Sequence, residues 1–180
     1  QPRQLCVRDR INSDPGTSLS LFSCADRSNF QGKIDRAIAG DLPSTKLNRL
    51  ELEINGRTVA MPVLNDILFA HRNPAAMSRY RLAVDGRREE QRGSGVWVST
   101  AAGSTAGLHA AGGSMMAITS RRMQYRVREP YTWPHPPYRL LKGYARETIS
   151  FTVLMTEAAA WLDGSRIRHE LKMNDRIPCV

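Results

Sequence analysis

Leu50-Glu51-Leu52-Glu53-Ile54-Asn55-Gly56-Arg57-Thr58-Val59-Ala60-Met61-Pro62-Val63 alternates apolar and charged residues as far as an Asn-Gly pair, then resumes with Val59, Met61 and Val63. Period two places alternate side chains on opposite faces of a strand, and Asn-Gly adopts the positive backbone angles of a tight hairpin, so this stretch predicts two antiparallel strands. The habit repeats outward from it. Tyr80 to Val84 ends at Asp85-Gly86, Gly95 to Ser99 carries Val96, Trp97 and Val98, and Ile149 to Met155 and Ala158 to Leu162 lead to Asp163-Gly164. Ile167 to Leu171 and Arg176 to Cys179 read as two closing strands, while Arg128 to Pro137, with four prolines, reads as a loop.

Upstream of Pro43 the texture differs. Leu5 to Pro15 ends in Asn-Ser-Asp-Pro and reads as a loop; Leu19 to Ala25 reads as a short strand. Asp26 or Ser28 is the expected cap of a helix that runs to about Ala39, with Phe30, Ile34, Ala37 and Ile38 on one face and Gly40 as its stop. Between the strands, Ala101 to Met116 is dominated by small residues. Ser104 or Thr105 is the expected cap of two helical turns over Ala106 to Ala111, whose small side chains admit a second backbone or a flat ligand.

The chain has 180 residues, 41% of them hydrophobic and 24% charged, enough for one globular core and unlike disordered or fibrous composition. Lys and Arg number 26 against 17 Asp and Glu, a net charge of +9 that points to an anionic partner: nucleic acid, a membrane surface or a phosphorylated small molecule. Cys6, Cys24 and Cys179 have no metal-like or redox-like spacing and read as free thiols. His71, His109, His135 and His169 lack zinc-helix spacing, so no metal ligands are assigned. No apolar run is long enough for a membrane helix and no signal peptide is visible; the default expectation is a soluble protein of the cytoplasm, with an organelle left open. Nor is there a Walker motif, a Gly-x-Gly-x-x-Gly after a strand or a Gly-x-Ser-x-Gly elbow.

Three segments remain open to a functional reading. Ser104-Thr105-Ala106 at a helix start suits an anion or simply tight packing. Asn65-Asp66, inside the apolar run from Pro62 to Phe69, needs partners, which are either backbone groups at a bulge or the hydroxyls of a bound sugar. Arg79 with Arg81 and Arg126 with Arg128 share strand faces, as solvated surface, phosphate clamps or a nucleic-acid stripe; the scarcity of aromatics, 7%, weighs against nucleic acid.

The order of Leu64-Asn65-Asp66-Ile67-Leu68, then Val98-Ser99-Thr100-Ala101-Ala102-Gly103-Ser104-Thr105-Ala106, then Ala111-Gly112-Gly113, resembles the C-terminal half of NAD kinases, with their Asn-Glu pair and Ser-Thr-Pro-Thr-Gly-Ser-Thr-Ala-Tyr segment. Asn-Asp for Asn-Glu, Ala-Ala for Pro-Thr, and Gln124-Tyr125-Arg126-Val127-Arg128-Glu129-Pro130 resemble the plant-type NADH kinase branch. The resemblance implies a mainly β fold. Residues 44–180 would form an antiparallel, sandwich-like, dinucleotide-binding domain, and residues 1–43 a strand and helix left from an α/β nucleotide domain. It implies ATP and NAD or NADH as substrates, and a divalent metal such as Mg for the full-length enzyme. The partners it implies are a dinucleotide and a second copy or a homologue in an oligomer, with no nucleic acid and no membrane. Asn65, Asp66, Thr100, Ser104, Thr105 and Ala106 are the dinucleotide-binding residues it implies.

Departures from the family pattern bear on activity. The Gly-Gly-Asp-Gly-Thr motif, which holds ATP phosphates and supplies the catalytic Asp, does not occur in these 180 residues, so no catalytic residue is assigned. Ser94 replaces an Asp, Gly107 replaces the Tyr after Thr-Ala, and Asp66 is one methylene shorter than Glu. The reading is an NAD(H) kinase-like protein, present as an incomplete chain, for which the start at Gln1 is a further sign; the alternative is a catalytically inactive dinucleotide-binding or subunit-interaction module.

Overall fold

A computed structural model describes residues 10–12, 23–42, 45–133 and 137–180, which belong to two compact units, 1–46 and 47–180. In the first unit β1 (Arg10–Asn12) pairs in parallel with β2 (Ser23–Asp26), and α1 (Phe30–Ile38) follows. The expected helix is present; of the strand expected over Leu19 to Ala25, the part from Ser23 lies in β2 and the rest lies outside the described residues. The segment expected as a loop from Leu5 to Pro15 instead contains β1, and the rest of it, with Cys6 and the boundary residues Pro43 and Ser44, lies outside the described residues. Neither Asp26 nor Ser28 caps the helix. Asp26 Oδ1 accepts both the N–H and the O–H of Ser28, and Asn29 Oδ1 accepts the Asp26 N–H at 3.0 Å, so these side chains close the turn before the helix. Asn29 takes the N-cap position without a side-chain cap bond. Gly40 ends α1 as expected, at φ 78°, while the Asp41 N–H reaches back to the Arg36 carbonyl at 2.9 Å.

The second unit opens on the deciding stretch. Leu50 and Leu52 are buried and Glu51 is exposed, as the alternation requires. Asn55 (φ 52°) and Gly56 (φ 79°) join β3 (Glu53–Ile54) to β4 (Arg57–Thr58) through a two-residue turn whose twist matches its strands. Beyond that short ladder the partners change: Leu50 bridges to Val63, and Leu52 bridges to Cys179 near the end of the chain. The remaining strands are β5 (Asp66–His71), β6 (Ser78–Val84), β7 (Arg87–Gly93), β8 (Gly95–Ser99), β9 (Met123–Arg128), β10 (Lys142–Ala145), β11 (Ile149–Val153), β12 (Ala158–Leu162), β13 (Ile167–Leu171) and β14 (Arg176–Cys179).

They form two antiparallel sheets, one six-stranded in the order β10-β9-β8-β5-β12-β13 and one four-stranded in the order β14-β11-β6-β7. The fold is therefore mainly β and sandwich-like, as expected. Period two sends Ile67, Phe69, Val96, Val98, Tyr125 and Val127 of the larger sheet toward Tyr80, Leu82, Ile149, Phe151 and Ile177 of the smaller. Phe69 stacks on Phe151 with ring centroids 4.7 Å apart, and Tyr80 meets Phe69 edge-on at 5.7 Å, so three aromatic rings join the sheets at their centre.

The small-residue segment departs from expectation. It folds as a 3-10 turn over Ala102–Thr105 followed by the single-turn helix α2 (Gly107–Ala110), with Ala106 in the N-cap position. Ser104 cannot cap because its hydroxyl, fully buried, donates to the Ala101 carbonyl at 2.7 Å.

A candidate dinucleotide site on the outer face of the six-stranded sheet

The face of the larger sheet turned away from the core carries the polar residues of the same strands. Register aligns Asp66 of β5 with Ser99 of β8 and Gln124 of β9, and in the next row on that face Leu68 with Trp97 and Arg126. The 3-10 turn, α2 and the chain that follows cover this row. Gln124 fixes the cover, accepting the Ser114 N–H at 2.7 Å and donating to the Ser114 carbonyl at 2.8 Å.

Asn65 and the Ser-Thr segment meet through backbone. The Asn65 carbonyl accepts the Thr100 N–H at 2.9 Å, the Thr100 hydroxyl donates to the Leu64 carbonyl, and the Gly103 N–H donates to the Thr100 hydroxyl at 3.1 Å. A Cβ on Gly103 would lie 2.0 Å from the Asn65 carbonyl oxygen, so only glycine allows the two segments this close approach. From the other side Asp163, at the turn between β12 and β13, accepts the Leu64 N–H at 2.9 Å and the Asn65 N–H at 2.6 Å.

Of the residues singled out from the sequence, Thr100 and Ser104 are buried and spend their hydroxyls on backbone groups; Ser104 Oγ also accepts the Met116 N–H at 3.0 Å. Asn65 and Thr105 are half-buried and Ala106 is exposed. Asp66 is the electrostatic centre. It is 4% exposed, and its Oδ2 is buried without a hydrogen-bond partner. Burial raises its pKa above 3.8; the N–H groups of Leu108 and Gly107 offset part of the rise without reaching Oδ2 in hydrogen-bond geometry, and the nearby Asp163 carboxylate adds to it. A buried acceptor in this state has capacity for one further hydrogen-bond donor.

Gly107 keeps the space beside this oxygen open. A Cβ there would lie 3.2 Å from Asp66 Oδ2 and 2.9 Å from the ring of Trp97, whose half-buried indole flanks the carboxylate. Arg126, read from the sequence only as one of a pair with Arg128, lies on this face; Trp97, Gln124 and Asp163 were not singled out as site residues. Trp97 and Gln124 were findable from strand alternation, which places them on the Asp66 face once the pairing is known; the role of Asp163 depends on a contact with residues far away in the chain. The Arg79 and Arg81 pair does form a stripe, but both arginines lie against Glu90, at 3.8 and 3.9 Å. Among the described residues no group of three or more His, Cys, Asp or Glu converges in a way that could by itself hold the divalent metal implied by the resemblance. No described helix is long and apolar enough to cross a membrane.

No protein-family model matches the chain. The chain is 31% identical over 172 residues to the probable NADH kinase of Oryza sativa subsp. japonica, which covers 91% of this chain and 53% of that protein. It is 31% identical over 173 residues to the NADH kinase of Arabidopsis thaliana, across 54% of that protein, and 33% identical over 98 residues to the NAD kinase of Methanocorpusculum labreanum. Among solved structures, yeast NADH kinase complexed with NADH superposes over 91% of this chain and 48% of its own, with a TM-score of 0.75 at 18% identity, a likeness of fold. The chain thus spans about half the length of the curated relatives it matches. Along nine-tenths of its length the chain is similar in sequence to plant NADH kinases, and it shares the fold of yeast NADH kinase over the same extent.

Proposed function

We propose that residues 44–180 are the dinucleotide-binding part of an NAD(H) kinase, and that residues 1–43 are what this chain carries of an α/β nucleotide domain. The buried, unpartnered Asp66 Oδ2 beneath Gly107 is the observation that carries this reading. A ribose hydroxyl or a carboxamide N–H of NAD or NADH supplies the missing donor. Asn65 and Asp66 then orient the dinucleotide, the half-buried Trp97 offers an apolar flank, and Thr105 and Ala106 line the opening. The parallel pair β1 and β2 with α1 suits a piece of an α/β layer. The two plant relatives of this kind are named NADH kinases.

The reaction of such an enzyme moves the γ-phosphoryl group of ATP to the 2′-hydroxyl of the adenosine ribose, leaving ADP and NADP or NADPH. Phosphoryl transfer depends on positioning and on charge stabilisation around the moving group. With no Gly-Gly-Asp-Gly-Thr cradle among these 180 residues, the chain alone binds the acceptor and does not turn it over. Pairing with a second copy or a homologue through this domain belongs to the same proposal. In a coupled assay with ATP, a divalent cation and NAD or NADH, the expected outcome for this chain is no NADP or NADPH above the enzyme-free rate. Turnover at an ordinary kinase rate, on the order of 1–100 per second, overturns that part of the reading.

The second reading, an inactive dinucleotide-binding or interaction module, is favoured by the same missing motif. The coding sequence upstream of Gln1 separates the two: an in-frame Gly-Gly-Asp-Gly-Thr supports the kinase, and its absence supports the module.

A further inference from the structure

The six-stranded sheet ends on β13, whose sequence Ile167-Arg168-His169-Glu170-Leu171 reads apolar, basic, histidine, acidic, apolar. The Arg72 N–H donates to the Glu157 carbonyl at 3.1 Å and the Asp163 N–H to the Asp66 carbonyl at 2.9 Å, so the odd-numbered residues of β12 bond toward β5 and the even-numbered ones toward β13. Register then turns the backbone groups of Ile167, His169 and Leu171 back to β12. Those of Arg168 and Glu170 face away from the sheet, where no described residue takes them up.

The other edges of the two large sheets are blunted. β14 contains Pro178 and is bridged by Leu52; Arg92 of β7 accepts the Tyr131 N–H at 2.8 Å and gives its own N–H to the Tyr138 hydroxyl at 3.2 Å; β10 is four residues long and carries Lys142 and Gly143. β13 has neither proline nor bulge. Its exposed side chains are also balanced in charge. Arg168 lies 3.1 Å from Glu170, Arg72 lies 3.7 Å from Glu170 and 2.9 Å from Glu157, so two bases meet two acids at this edge of a chain whose surplus is +9. A second copy meets less repulsion here than a uniformly cationic surface would offer.

We propose that β13 is a self-pairing edge, at which two copies of this chain join antiparallel across a two-fold axis at His169 and continue the six-stranded sheet from one subunit into the next. The axis sets Arg168 opposite Glu170 of the partner subunit and Ile167 opposite Leu171 of the partner subunit. Each facing Arg168–Glu170 pair exchanges its outward N–H and C=O groups, so the backbone pairing and the charge pairing select the same register. An axis at Arg168 or at Glu170 sets identical charges face to face instead. Beyond the strand ends Arg166 faces the partner's Lys172; both are exposed, and salt screens them. The proposal rests on the pairing with a second copy proposed above and is independent of the dinucleotide.

Sedimentation velocity of the 180-residue chain from micromolar concentrations upward tests it, with a concentration-dependent dimer as the expected result for the wild type. Arg168→Glu sets glutamate against glutamate at both facing pairs, and Glu170→Arg sets arginine against arginine; each is expected to weaken the dimer about tenfold or more. Mixed in equal amounts, the two variants have opposite charges at every facing pair and are expected to dimerise with each other, as is the double variant Arg168→Glu with Glu170→Arg with itself. Melting curves of each variant report folding. A wild-type chain that stays monomeric overturns the edge and the pairing with a second copy together. A dimer that the single variants leave unchanged, or that mixing does not restore, overturns the edge and leaves the pairing standing. NADH titration of the same samples tests the dinucleotide reading separately.

Discussion

Asp66 costs the fold stability in return for an acceptor. Its carboxylate is buried, one oxygen has no partner, and Asp163 adds like charge nearby, so the ionised form is disfavoured in the folded chain. A folded pKa raised above 3.8 means that stability present at lower pH is lost as the pH rises through the raised value, and the loss is complete above it. Asp66→Asn removes the charge at almost constant volume. It is expected to raise stability at neutral pH by about 1 kcal/mol, a few degrees in melting temperature, with the gain fading as the pH falls toward 3.8. Melting curves of both proteins from acid to neutral pH check this; an equal destabilisation at every pH contradicts it. At this scale the sequence was partly legible. Two polar residues inside an apolar run, at the start of β5, marked Asn65 and Asp66, yet nothing local distinguished Thr100 and Ser104, whose hydroxyls bond inward to backbone, from the exposed Ala106.

Among the elements, the turns were the most readable, since Asn55-Gly56 and Asp85-Gly86 each take the positive φ angles that their residue types predict. The strands hidden from sequence are those whose partners supply the order. β7, Arg-Arg-Glu-Glu-Gln-Arg-Gly, has no apolar alternation, but lies at a sheet edge, paired with β6 along its whole length, and buries Gln91 by bonding it to the Leu140 carbonyl at 3.0 Å. The turn from β12 to β13 acts on the site from a distance. Asp163 supports the Leu64 and Asn65 amides, so Asp163→Ala is expected to lose about 1–3 kcal/mol and to weaken NADH binding, because both N–H groups are left to find other acceptors. Denaturant unfolding and an NADH titration check the two effects. Loss of stability with NADH affinity unchanged contradicts the positioning role.

For the whole molecule, antiparallel strands were legible from alternation and turn residues, the sandwich only from the family resemblance, and the topology from neither, because antiparallel strands of similar pattern pair in many orders. The six-stranded sheet takes strands from early, middle and late parts of the chain, and only that order places Asp66 beside Ser99 and Gln124. Within the surplus of +9, Arg72, Arg79 and Arg81 are paired with glutamates at the surface. The dinucleotide site proposed at Asp66, in a chain without the Gly-Gly-Asp-Gly-Thr motif, is checked by titration of NADH into the wild-type chain and into Asp66→Asn. Saturable one-to-one binding, weakened about tenfold or more in a variant that melts no lower than the wild type, is the expected result; no saturable binding, or equal affinity in both proteins, contradicts it.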